Sequence, residues 1–174
     1  MENFLKVEKA DKNYFENKIQ SKIISKNYLL KIVKNKKVAL KKIVMTNGCF
    51  DVLHYGHCKL LVKAKSFGDT LILALNSDKS IKRLKGKSRP VNSFKDRAYL
   101  LASLEYIDFI IKFEEDTPIN LYKLILPDVL VKGGDYKIND IIGSTEVIEN
   151  GGEVKLINFE EGYSTTNTLK KLNQ

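Results

Sequence analysis

From residue 42 onward the chain alternates two kinds of hydrophobic pattern. Short β-branched runs at 42–46 "KIVMT", 70–76 "TLILALN", 108–113 "DFIIKF", 128–132 "DVLVK" and 153–159 "EVKLINF" are apolar at most positions. Between them the apolar residues recur at helical spacing. The helix over 54–67 has Leu53, just before it, with His57, Leu60, Leu61 and Ala64 on one face; over 93–105 the inward residues are Ala98, Leu101, Ala102 and Leu104. Residues 118–126 predict a short helix with Pro118 in its first turn, where a missing N–H leaves no bond unmade. Residues 140–150 predict another, stopped at Gly151-Gly152, and 164–172 a last one. Strands that are apolar throughout are covered on both faces. The pattern predicts an α/β fold: a Rossmann-like, doubly wound, mainly parallel five-stranded sheet with helices on both faces and right-handed crossovers.

Residues 1–42 differ. In "SKIISKNYLLKIVKNKK", Ile24, Tyr28, Leu29, Ile32 and Val33 have helical spacing, with Ser25 as the N-cap. Residues 1–20 are less periodic and read as a frayed arm or a contact with another subunit. The expected division is an N-terminal arm and helix over 1–42, packing on a main domain over 43–174. A homodimer through this extension is one expectation.

Apolar residues make up 43% of the 174, as in a globular domain with one sizeable core. The longest apolar run, 71–75, is far below the roughly 20 residues of a membrane span. The first twenty residues carry charges throughout, unlike a secretory signal. The two cysteines, Cys49 and Cys58, make no disulfide framework. A cytoplasmic protein without a membrane partner is expected. The net charge of +9 comes largely from runs such as "KNKKVALKK", which read as a solvated face. What remains is a field that draws anions: a nucleotide, a sugar phosphate or nucleic acid. A nucleic-acid binder needs aromatics interleaved with its basic face. Here the aromatics are spread along the chain, mostly at core-like positions, so that class is the remote alternative.

Polar motifs follow the strands, at Asn47–Asp51, Ser77–Asp78, 133–136 and 162–166. In a doubly wound sheet this is where a ligand binds. The first motif, "TNGCFDVLHYGH", contains both histidines of the chain. Cys49, His54, His57 and Cys58 are potential metal ligands, but Cys49 ends a strand and Cys58 points away from His57 on a helix. No metal site is expected there. A phosphate suits the spacing better. His54 and His57 lie three apart on the first helical turn, where free N–H groups and the helix dipole favour an anion. Gly56 between them lets a nucleotide approach the backbone. Asn47, Gly48, Cys49 and Phe50 form a tight turn whose amides can also face phosphate. Asp51 either contacts a sugar or its phosphate, or fixes the turn as an Asx motif.

An H-x-G-H pattern after a strand resembles the signature of the nucleotidyltransferase superfamily. With "NSDKSIKRLKGKSRPVNSFKDRA", "FEEDTP", "PDVLVKGGDY" and "EGYSTT" in order, residues 25–172 resemble the adenylyltransferase domain that makes ADP-heptose from D-glycero-D-manno-heptose 1-phosphate. The resemblance implies ATP as a substrate, Mg²⁺ carried by the triphosphate, small-molecule partners, and a separate heptose kinase in the same pathway. It places His54 and His57 on the α-phosphate, and Ser164, Thr165 and Thr166 on the β- and γ-phosphates, beyond an N-cap's ordinary role. Lys85 and Lys87 lie on a loop that can close over the phosphates, or are simply solvated. Arg97 faces the nucleotide by resemblance, or pairs with Asp96 or Glu105. Gly133, Gly134 and Asp135 line the base and ribose pocket. A glycerol 3-phosphate cytidylyltransferase shares H-x-G-H and "STT", but tends to carry histidine and tryptophan where this chain has "GGDY".

Overall fold

A computed structural model describes residues 7–158 and Thr165. In chain order the elements are α1 (Val7–Ser21), β1 (Ile23–Ile24), α2 (Lys26–Val38), β2 (Ile43–Gly48), α3 (Tyr55–Lys65), β3 (Thr70–Asn76), α4 (Asp78–Lys85), α5 (Phe94–Ala102), β4 (Phe109–Phe113), α6 (Ile119–Ile125), β5 (Val129–Gly133), a 3-10 turn (Ile138–Asp140), α7 (Ser144–Glu149) and β6 (Glu153–Ile157). The sheet order is β1-β4-β3-β2-β5-β6, and every pairing is parallel.

Alternation along the strands sorts the core into two layers. Ile43, Met45, Ile72, Ala74 and Leu130 pack on Leu29, Tyr122, Ile125 and Val147, so α2, α6 and α7 cover one face. Val44, Leu71, Leu73, Leu75, Val129 and Val131 pack on Leu61, Ala64, Ala98 and Leu101, so α3 and α5 cover the other. Burial on both sides is why these strands read as unbroken apolar runs. Strand starts are pinned by carboxylates: Asp128 accepts from Ile43 N (2.7 Å), and Asp108 from Leu71 N (2.7 Å).

The expected five strands become six. Ile23 and Ile24 precede the Ser25 cap, which accepts from Tyr28 N (3.3 Å) and starts α2. Their backbone is therefore free to pair with Ile110 and Ile111 at the sheet edge. Three further differences are local. Helix α4 was not among the expected elements; its only long apolar residues are Ile81 and Leu84, and Ser77 caps it by accepting from Ser80 N (3.1 Å). The helix expected over 140–150 is split, because Gly143 sits at φ 87 before α7. The weakly periodic start of the chain is helical as α1. The helix expected over 164–172 lies outside the described residues, apart from Thr165, which is helical and half-buried.

The aromatic reading also needs correction. Tyr14, Phe15, Tyr28, Tyr55, Tyr99, Tyr106 and Tyr136 are exposed, whereas Tyr122 is in the core. A tyrosine ring can lie on apolar surface with its hydroxyl in water, so even spacing along a chain does not place it inside. No helix among the described residues is long and apolar enough to cross a membrane.

Candidate active site

The strand order reverses at β2, whose neighbours are β3 on one side and β5 on the other. That is the switch point at which doubly wound sheets open a crevice beyond their carboxyl ends. The turn after β2 is built tightly around it. A Cβ on Gly48 would lie 2.8 Å from the Phe50 ring, so that position has no room for a side chain. Phe50 itself takes φ 44, a left-handed conformation that a bulky residue rarely adopts. This folds its ring inward, where it is 5% exposed and packs on His57 with centroids 4.8 Å apart.

His54 caps α3, and its carbonyl accepts from His57 N (3.0 Å) and Cys58 N (3.3 Å). The two imidazoles stack 3.7 Å apart at 22°. Neither Nδ1 has a partner, although both atoms are buried. Burial lowers the His54 pKa below its usual value. Burial, His54 and the Lys85 charge bring that of His57 down to about 4, against a backbone hydrogen bond with Val52. Both rings are therefore neutral at pH 7, held by stacking and Phe50, with unspent hydrogen-bonding capacity at a helix N-terminus. Acid should weaken this arrangement. Between pH 6.5 and about 4 the unfolded imidazole of residue 57 binds a proton that the folded one refuses. Stability contributed by neutral His57 should thus fall as pH drops through that window, by on the order of 3 kcal/mol at most. Thermal midpoints of the wild type and His57→Gln, compared from pH 7.5 to 4, check this; the variant's curve should be flatter.

Two predicted binding residues turn out to hold the frame. Arg97 is 0% exposed. It donates from Nε to Asn92 O (3.1 Å), from Nη1 to Cys49 O (2.7 Å), and from Nη2 to Asn76 O (2.9 Å) and Asp78 Oδ1 (2.8 Å). Its donors join the turns after β2 and β3 to the approach of α5. Its acidic partner is Asp78, rather than Asp96 or Glu105. Asp51 is 2% exposed and accepts from the backbone of Val91 and Asn92 and from the Arg89 side chain. Burial alone would raise its pKa; these donors lower it on balance. Its carboxylate anchors a distant loop rather than a local Asx turn.

The remaining residues divide around the crevice. Gly56 lies in the first turn of α3 beside the histidines. Lys85 ends α4 close enough to influence His57, and Lys87 follows Gly86 on the exposed loop. Gly133 closes β5, Gly134 is buried at φ 125 with its N–H on Ile157 O (3.0 Å), and Asp135 is exposed beyond it. Ser164 and Thr166 lie outside the described residues. Asn47 points to the other face of β2, away from the histidines. Its Oδ1 accepts from Tyr122 OH (3.0 Å) and Lys132 Nζ (2.9 Å) at a cavity of about 180 Å³, also lined by Asp116, Tyr136 and Asp140.

Lys132 and Tyr122 are missing from the expected site. Burial lowers the lysine's pKa, with Cys49 acting in the opposite direction. The available signal was a lysine on the buried face of an apolar strand, two positions after Leu130. Attention to the glycines that follow it hides that signal. Among the described residues no group of three or more His, Cys, Asp or Glu converges to hold a metal.

The switch-point turn of this parallel sheet thus carries two stacked imidazoles, each with an unpartnered Nδ1, beside the lysine that ends α4. The chain belongs to the cytidylyltransferase-like family, whose family model matches residues 45–171. It is 53% identical over 152 residues to the bifunctional protein HldE of Histophilus somni (strain 129Pt), covering 87% of this chain and 32% of that protein. It is 58% identical over 141 residues to the HldE of Sulfurimonas denitrificans (strain ATCC 33889 / DSM 1251), covering 81% and 29%. The chain thus spans about a third of the length of these curated relatives. Among solved structures it resembles the lipopolysaccharide core biosynthesis protein from Thermoplasma volcanium GSS1, with TM-score 0.57 and 28% identity over 71% of this chain and 99% of that one. Pantoate-beta-alanine ligase from Francisella tularensis, with TM-score 0.59 and 16% identity over 84% and 72%, shares the fold.

Proposed function

We propose that the chain transfers AMP from ATP to D-glycero-D-manno-heptose 1-phosphate, releasing pyrophosphate and forming ADP-heptose. An oxygen of the sugar phosphate attacks the α-phosphorus in line, and the bond from that phosphorus to the pyrophosphate oxygen breaks. The attacking phosphate is already mostly dianionic at neutral pH, since its second pKa is about 6, so no general base is needed. Catalysis then rests on positioning and on donors aimed where charge develops. The observation that carries this reading is the neutral His54–His57 stack at the start of α3, with unsatisfied buried nitrogens.

The α-phosphate sits against this pair, and Lys85 and Lys87 reach the outer phosphates with Ser164, Thr165 and Thr166. The loop at 133–135 borders the base and ribose. Mg²⁺ travels with the triphosphate, held by phosphate oxygens and water. The acceptor occupies the Asn47 cavity, where the Lys132 ammonium meets its phosphate and the carboxylates and phenols around it meet sugar hydroxyls. The reading calls for a kinase activity that supplies the sugar 1-phosphate, and a cytoplasmic setting for both. Its test is pyrophosphate release with each nucleoside triphosphate against heptose 1-phosphate and glycerol 3-phosphate. ATP with the heptose should be fastest; CTP with glycerol 3-phosphate as the best pair would replace it with the cytidylyltransferase reading. Lys132→Met should raise KM for the sugar phosphate about tenfold or more while leaving KM for ATP within about twofold. Steady-state kinetics with each substrate varied separates the two.

A further inference from the structure

Asp51 and Arg89 meet at a place that phosphate chemistry alone does not explain. Asp51 ends the turn that leads into His54, yet both its carboxylate oxygens are engaged by a loop some forty residues away. Val91 N donates to Oδ1 (2.8 Å) and Oδ2 (3.0 Å), Asn92 N donates to Oδ1 (2.9 Å), and Arg89 Nε donates to Oδ2. The Asn92 amide donates back to Asp51 O (2.7 Å). The Arg89 side chain is only 13% exposed. On its far side the loop is short: Arg89 N donates to Gly86 O (3.2 Å), and Gly86 closes α4 at φ 94 with open space around it. Lys85 and Lys87 flank that glycine. On the near side, Asn92 O is held by Arg97 Nε, so the base of the loop is tied to the rigid frame.

We propose that the Asp51–Arg89 pair tethers the loop at 86–88, and with it the end of α4 that carries Lys85, over the histidine turn, making both positioning residues for the triphosphate. The proposal rests on the nucleotidyltransfer reading above. Asp51 and His54 share one short turn, so a loop fixed to Asp51 is fixed relative to the imidazoles. Gly86 is the joint between the two lysines, with Lys85 on the helix side and Lys87 on the loop side. The tether keeps two cations beside a pair of neutral imidazoles, where an anionic phosphate chain neutralises them. The influence of the Lys85 charge on His57 agrees with this placement.

The chain has only two histidines, both in this turn, so its imidazole NMR signals number two and report the site directly. Three variants are compared with wild type: Arg89→Ala, Asp51→Asn and Lys85→Ala. Arg89→Ala should release the loop, raise the His57 titration midpoint as Lys85→Ala does, and leave His54 nearly unmoved. Asp51→Asn should do the same if it folds, and Arg89→Ala decides the matter if it does not. In turnover assays Arg89→Ala should raise KM for ATP about tenfold, with KM for the sugar phosphate within about twofold. An Arg89→Ala protein that is folded, with the wild-type His57 titration and wild-type KM for ATP, overturns the tether. If wild type turns over no nucleoside triphosphate, the functional reading fails instead, and the two-signal titration still tests the tether.

Discussion

His57→Ala is expected to lower kcat for the proposed ADP-heptose formation by about 10²–10³-fold, the usual effect of removing one donor aimed at developing charge. The ring is held on both sides, by His54 at 3.7 Å and Phe50 at 4.8 Å, so its direction is set before substrate arrives. With a pKa of about 4 it is neutral in the free protein, and approach of the α-phosphate raises its proton affinity. It can therefore strengthen its hydrogen bond as charge builds, which is what a transition-state contact must do. His57→Gln keeps a donor without the titrating ring and should lose less. Rapid-quench measurement of the chemical step, with circular dichroism to verify the fold, gives the answer. A folded His57→Ala protein with near-normal kcat would remove His57 from the chemistry.

Arg97→Met should cost about 3–5 kcal/mol, because the buried guanidinium has acceptors that nothing else can reach. Removing it strands the carbonyls of Cys49, Asn76 and Asn92 and leaves the Asp78 carboxylate without its cation. For a chain of this size the thermal midpoint should fall by roughly 6–20 °C. Arg97→Lys retains the charge but not the planar fork, and should recover only part of the loss. Scanning calorimetry at pH 7 measures both. A destabilisation no larger than that of an exposed arginine would contradict the frame described for the site.

The sheet was legible because burial on both faces leaves an apolar run that needs no partner to be recognised. The edge strand Ile23–Ile24 was not, since two residues carry no period and their pairing depends on where β4 lies. The same contrast holds at the site. His54, His57, Gly48 and Gly56 act locally, within one turn and the helix it starts, and could be read from adjacent letters. Apart from the Arg97–Asn92 bond, Arg97 and Asp51 act across 19 to 48 positions of chain, and their partners are mostly backbone groups, which every residue has. A sequence shows that an arginine is present but not that its donors are already spent. Lys132 was hidden differently: one lysine among thirty basic residues carries no flag until its burial is known.

Strand β2 and the turn that follows it send side chains to opposite faces of the sheet. Asn47 looks toward β5 and α6, while Phe50 folds under the histidines on α3. On the proposed reading, the chemistry common to all acceptors is on one side of that strand and the choice of acceptor on the other. The two can then change independently over evolutionary time. Substitutions along β5, α6 and the 3-10 turn would recruit a new sugar or alcohol phosphate while the nucleotide machinery stays as it is.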